Sequence, residues 1–298
     1  MRITLTLALA AVFTAPALAL QDASGMTAEP VVETPTAVMA MLGDVESHLY
    51  QPAKHGLRSL SFELKVEDPL MGLGHIATAT ASWSVEAGSD VSVVVHDFEI
   101  PAAVAAMAGV DESQLVQMKE AIRSGLPAQV SMQMEGIFDN ILNTSVTSMR
   151  KDYLGSMAGA SEDGLVKLKL EKRPGANASV AEQTLYIDDE AVIRRVQTLQ
   201  DMGMGPKPMT VDMNWVPVDG QAGDLILKSR SAKVQVPSPF GGEMEHTIEE
   251  SFGYIEVEGI TLMNSVTSSS FMGPPQVLTL EKLVVNGKAV AADAPAEG

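Results

Sequence analysis

Residues 60–67 read Leu60-Ser61-Phe62-Glu63-Leu64-Lys65-Val66-Glu67. Leu60, Phe62, Leu64 and Val66 share one parity; Ser61, Glu63, Lys65 and Glu67 share the other. Successive side chains of a strand point to opposite faces, so this stretch predicts a strand with one apolar and one polar face. Residues 75–86 and 90–100 predict two more, with Val91, Val93 and Val95 on one face and Gly88-Ser89-Asp90 as the turn between them. From 164 to 290 the pattern runs on through LVKLKL, QTLYID, AVIRRVQTL, PMTVDMNWVPV, DLILKSRSAKVQV, HTIEESFGYIEVE, ITLMNSVTSSS and QVLTLEKLVV. The connections carry Asp188-Asp189, Asp219-Gly220, Gly241-Gly242 and Asn286-Gly287, which suit tight turns. Short connections between consecutive strands predict antiparallel pairing.

Two stretches change period. Residues 37–50 place Val38, Met41, Leu42, Val45 and Leu49 on one helical stripe, with Thr36 as predicted N-cap. Residues 101–157 predict a helical insertion. Asp111 and Gln114 fit a capping-box variant, Pro127 suits a first turn, and Met134, Ile137, Phe138, Ile141, Leu142 and Met149 fall at helical spacing. The predicted fold is α+β and mainly antiparallel β: one curved half-barrel sheet of about eleven strands over residues 37–290. An amphiphilic sheet of that size must cover its apolar face, and the two helical stretches are the available cover.

The ends read differently. Arg2, the apolar run 3–13 and Ala17-Leu18-Ala19 predict a signal peptide over 1–19, cleaved after Ala19. Residues 20–36 predict a flexible leader and 291–298 a disordered tail. The expected location is therefore the periplasm, with secretion beyond it as the alternative. No cysteine stands at the cleavage point to take a lipid, and no later run of about 18 apolar residues predicts a membrane span.

Composition removes whole classes of chemistry. The chain has 298 residues and no Cys, which excludes disulfides, thiol catalysis and cysteine-held zinc or iron–sulfur sites. The 38 Asp+Glu against 20 Lys+Arg leave a net charge of −18, which argues against nucleic acid and against anionic lipid surfaces as partners.

The order of elements resembles the LolA/LolB-type periplasmic lipoprotein carriers. The closest likeness lies in TLYIDDEAVIRRVQTLQD, a strand ending in acidic turn residues and then a strand with basic residues, and in PMTVDMNWVPVDG, a strand leading into an Asp-Gly hairpin. The helical insertion at 101–157 is longer than that architecture leads one to expect, and the missing acylation cysteine excludes its lipid-anchored branch. The resemblance implies a cavity for lipid or for the acyl chains of a lipoprotein. Candidate lining residues are Leu60, Phe62, Leu64, Val211, Met213 and Trp215, with Met134, Phe138 and Ile141 from the helical lid; the competing reading makes the same residues a closed, dry core.

Met202, Met204 and Met209 sit in a Gly- and Pro-rich stretch read as a loop, open to three readings: a gate for an apolar guest, a soft-metal site, or packing under the sheet. Arg194 and Arg195 are adjacent in a strand and so predict opposite faces unless a bulge intervenes; the one at the apolar side or groove rim would either hold a head group or carboxylate, or be paired structurally with Asp188 or Asp189. Glu243, Glu245, Glu249 and Glu250 read as solvated surface. His48, His55, His75, His96 and His246 lack metal-ligand spacing, and no nucleophile elbow or phosphate loop occurs. The expectation is thus a non-enzymatic carrier or sensor of lipid or acylated protein, with no cofactor or metal. The alternatives are an envelope protein that binds other proteins and, further off, an unrecognised hydrolase.

Overall fold

The computed structural model describes residues 34–67, 75–87, 91–96, 116, 120, 130, 134, 136–160, 163–176, 180–201, 206–219, 221–237, 243–270 and 275–290. Helix α1 covers Thr36–His48, and a 3-10 turn follows at Pro52–His55. Strands β1 (Ser59–Glu67), β2 (His75–Ser84) and β3 (Val91–His96) come next. Val130 and Met134 are helical, α2 occupies 136–142, and α3 is Ser145–Asp152. Strands β4 (Tyr153–Ala160), β5 (Val166–Lys172), β6 (Glu182–Ile187), β7 (Ile193–Asp201), β8 (Pro206–Val218), β9 (Gln221–Pro237), β10 (Glu243–Val257) and β11 (Ile260–Ser270) follow in antiparallel succession. The chain closes with β12 (Gln276–Thr279), β13 (Glu281–Val285) and β14 (Lys288–Ala289).

The α+β, mainly antiparallel class read from the sequence is the observed one, with a division it did not foresee. The described strands form two sheets, β14-β13-β1-β2-β3 and β12-β11-β10-β9-β8-β7-β6-β5-β4, neither closed into a barrel. The division falls in QVLTLEKLVV, which the alternation presents as one strand. Leu280 separates β12, on the edge of the large sheet beside β11, from β13, which pairs with β1 in the small one. At the β13–β14 turn Asn286 (φ 49°) and Gly287 (φ 79°) supply the two left-handed residues of a type I′ hairpin. The Asn286 Oδ1 also accepts from Arg58 N–H (2.7 Å) and Ser59 N–H (3.1 Å), tying that hairpin to the start of β1.

Two apolar packs cover the large sheet. Leu60, Phe62 and Leu64 of β1, Ala77, Ala79 and Ala81 of β2, and Leu283 and Val285 of β13 face Val130, Met134, Phe138 and Ile141. The same pack reaches Leu227, Phe252, Leu262 and Met263 of the large sheet. Alanines on β2 leave room for the helix, and Phe62 stacks on Phe138 at 5.1 Å between ring centroids. Around β4–β7 the cover is instead α1 and α3: Val38, Leu42 and Val45 with Val146 and Met149 pack on Leu168, Leu170, Leu185, Ile187, Ile193 and Val196.

Several boundaries move. Pro35, not Thr36, is the N-cap of α1, and no side-chain hydrogen bond caps it. The leader predicted to 36 ends sooner: the Thr34 hydroxyl accepts from Gly155 N–H (3.2 Å) and from Arg173 Nη2 (3.2 Å). The helical insertion ends at Asp152, since β4 starts at Tyr153. Pro206, Lys207, Pro208 and Met209 belong to β8, not to a loop; the two prolines stand at the start of that strand, opposite Asp201 and Leu199 of β7. The signal peptide, the Asp111 capping box, the Gly88–Asp90 turn and the tail at 291–298 lie outside the described residues.

Candidate functional site

The site is the seam where the two packs meet over the middle of the large sheet. Met213 and Trp215 of β8 touch both packs. A cavity of about 30 Å³ opens there, lined by Leu49, Val146, Met149, Ile193, Val196, Met213, Trp215, Leu227, Phe252, Tyr254 and Met263, with Asn140, Asn143 and Ser145 on the helical side. That is room for about two water molecules. The aromatic handles in its wall are satisfied by backbone: Trp215 Nε1–H donates to Ile193 O (2.7 Å) and Tyr254 O–H to Leu227 O (2.9 Å). Burial holds the Tyr254 hydroxyl well above its ordinary pKa, so it stays protonated.

The helices meet at a break. Asn143 is left-handed (φ 52°) and separates α2 from Thr144 and α3. Its amide donates to Tyr50 O (2.6 Å), and the buried Tyr50 hydroxyl accepts from Thr261 N–H (2.8 Å). Thr144 Oγ1 donates to Asp139 Oδ1 (2.7 Å). Burial raises the Asp139 pKa, and the Thr144 bond offsets part of that rise. On the far side of α3, Arg150 Nη1 donates to Glu46 Oε2 (2.6 Å) and Thr147 Oγ1 donates to Glu46 Oε1. Burial opposes the Glu46 charge, but those bonds outweigh it and hold its pKa low.

Of the nine predicted lining residues, only Met213 and Trp215 line this cavity. Leu60, Phe62, Leu64, Met134, Phe138 and Ile141 are all buried in the first pack. Val211 lies farther along β8, buried with Met209, Ala232, Val234 and Ile248. Met209 is therefore a packed strand residue, while Met202 and Met204 fall outside the described residues.

Arg194 and Arg195 do not split between faces. Ile187 pairs with Ile193 and Tyr186 with Arg195, so a bulge at Arg194 turns both arginines to the outer side while Ile193 and Val196 stay in. Arg194 binds Asp188 (2.5 Å) and Arg195 binds Asp212 (2.6 Å), which occupies both in structural pairs.

The sequence reading missed Arg230 and Glu250. They stand directly opposite each other on β9 and β10, with side chains only 3% and 6% exposed and Nε–Oε2 at 2.5 Å. Glu250 thus departs from the solvated surface read for its acid run, whereas Glu245 and Glu249 are exposed. The signal was present: Glu250 sits two residues from Ile248 and two from Phe252, inside the apolar parity. A second unforeseen arrangement ties the 3-10 turn to β9: His55 Nε2 lies 3.1 Å from Asp224, under the stacked Tyr50 ring.

A groove of about 280 Å³ lies where the turns after β2 and β13 meet, lined by Leu60, Trp83, Ala87 and Val284 together with Ser59, Ser61, Ser82, Ser84 and Ser92; of the predicted lining residues it takes Leu60. Among the described residues no cluster of three or more His, Asp or Glu is placed to hold a metal ion, and no helix is long and apolar enough to cross a membrane. Fold and site together define an α+β protein of two antiparallel sheets with a narrow apolar seam at the centre. No family model, curated protein or solved structure matches this chain.

Proposed function

We propose that this protein is an exported, non-enzymatic carrier or sensor that takes an acyl chain of a lipid or lipoprotein into the central seam. The observation that supports this reading is the apolar seam itself, roofed by two helices that meet at the left-handed Asn143. The cavity is far below the ~300 Å³ of an ordinary ligand pocket, so on this reading a guest enters only when the helices part. Burying a chain of about eleven methylenes returns about 9 kcal/mol, of the order needed for micromolar affinity before the cost of opening is subtracted. An apolar chain needs no polar recognition motif for this, which is consistent with the absence of one in the sequence.

The test uses the chain's two tryptophans, of which Trp215 lines the seam and Trp83 does not. A brominated monoacylglycerol is added to delipidated protein. Saturable fluorescence quenching that survives Trp83→Phe and disappears in Trp215→Phe is the expected result. No quenching, together with no acyl lipid in extracts of the purified protein, overturns the proposal. The protein-binding alternative has one specific support: β3 and β12, the outermost strands of the two sheets among the described residues, carry the exposed Val94 and Val277.

A further inference from the structure

The polar groups of the seam gather at one place. Asn140, Asn143 and Ser145 line the cavity, and all three fall at the elbow between α2 and α3. The facing wall is apolar, and its two aromatic handles, on Trp215 and Tyr254, are already bonded to backbone carbonyls. Each asparagine is anchored by its nitrogen: Asn140 Nδ2 donates to Gly136 O (3.0 Å) and Asn143 Nδ2 to Tyr50 O (2.6 Å). A carbonyl partner fixes which end of an amide is nitrogen, and so leaves the oxygen as the other end. Among the described residues neither amide oxygen has a protein partner, and nor does the Ser145 hydroxyl.

We propose that this elbow is the head-group subsite of the seam, where Asn140, Asn143 and Ser145 take the hydroxyl or amide N–H of a neutral acyl compound. The inference rests on the acyl-chain reading above and names its ligand class. An amide oxygen only accepts, so a guest hydroxyl or N–H satisfies it. An ester or ether oxygen also only accepts; set against the asparagine oxygens with water displaced, it leaves both sides unmatched, which is costly. The acyl chain of such a guest runs away from the elbow, beneath the helices, where Met213, Leu227 and Phe252 form the wall. The left-handed Asn143 sets the recognition groups at the point where α2 and α3 part.

The experiment compares monolauroyl glycerol with its dimethyl ether, which keeps the chain and the ester but has no donor. Each is titrated against N-phenyl-1-naphthylamine bound to the delipidated full-length protein. The ether is the more apolar of the two, so transfer out of water alone favours it. The glyceride is nonetheless expected to displace the dye at concentrations about tenfold lower. The double variant Asn140→Leu with Ser145→Ala keeps the volume and removes two of the recognition groups; its ratio should fall to about threefold or less. Ser145→Ala alone, a mild change at a half-buried position, should lower the ratio part of the way. Asn143 stays in place because its amide also holds Tyr50. Each ratio is internal to one protein, and circular dichroism checks the fold. A wild-type ratio of about threefold or less, or a ratio unaltered in both variants, overturns the subsite while leaving the acyl-chain reading standing. Failure of both compounds and of the dye to bind wild type overturns both.

Discussion

The two ends of the large sheet are covered by different means. Over β9–β12 Phe138, Met134 and Ile141 form a dry wedge between two sheets, packed on aromatic and aliphatic side chains, with the Arg230 guanidinium at its margin over the Phe252 ring. Over β4–β7 the cover is two helices held partly by polar ties, with Glu46 bonded to Thr147 and Arg150, and Thr34 bonded to Gly155 and Arg173. A dry wedge and a polar-tied helix pair do not merge into one continuous core. The cavity lies along their boundary, and the residues that face both packs, Met213 and Trp215, are the ones that line it.

The largest test of this contrast is in the wedge. Phe138→Ala removes a fully buried ring stacked on Phe62 and should cost about 3–5 kcal/mol in urea unfolding. A loss below about 1 kcal/mol would mean that the wedge is not the dry core described. Next comes the helix-pair side. A Cβ on Gly155 would sit 2.5 Å from Val38 Cγ1 and 3.2 Å from Leu170 Cδ2. Gly155→Ala should therefore lower stability by about 1–3 kcal/mol, with loss of α1 protection in hydrogen exchange. If α1 exchange is unchanged, the helix is not docked through this contact.

Smaller effects come from the acids, and their signs oppose each other. Glu46 has a depressed pKa, so its contribution is present at neutral pH and is lost as pH falls through the folded value. Arg150→Ala should cost up to about 1 kcal/mol at pH 7 and progressively less below about pH 4, read from denaturation midpoints. Asp139 has a raised pKa, so its favourable contribution belongs to acid solution and is lost as pH rises through the folded value. Asp139→Asn should raise the midpoint slightly at pH 7 and leave it nearly unchanged at acid pH. If Asp139→Asn instead lowers stability at neutral pH, the ionised carboxylate is a required partner of Thr144 and the seam is more polar than described.

Part of the site is legible in the sequence. Met213 and Trp215 stand among nine candidates for the cavity that the resemblance implies, and strand parity marks Glu250 as well. The weight given to acidic composition hid it, because an acid on a strand reads as solvated until its face is known. Arg194 and Arg195 failed for the converse reason. Parity predicts opposite faces, and a single inserted residue at the β6–β7 bulge cancels that prediction. The lid residues Met134, Phe138 and Ile141 have the helical spacing expected of them, yet spacing does not distinguish a wall from a filled core.

The sequence by itself determined what is local: strands with one apolar face, helical stretches at 37–50 and within 101–157, tight turns between neighbours, and a chemistry without thiols. Side-chain direction repeats every two residues in a strand and every 3.6 in a helix, so a short window suffices to read it. Tertiary structure alone decided the division into two sheets at Leu280, the burial of Arg230 against Glu250, and the narrowness of the seam. Those depend on register between strands far apart in the chain and on how closely side chains from three layers interlock. No periodicity within one segment encodes either.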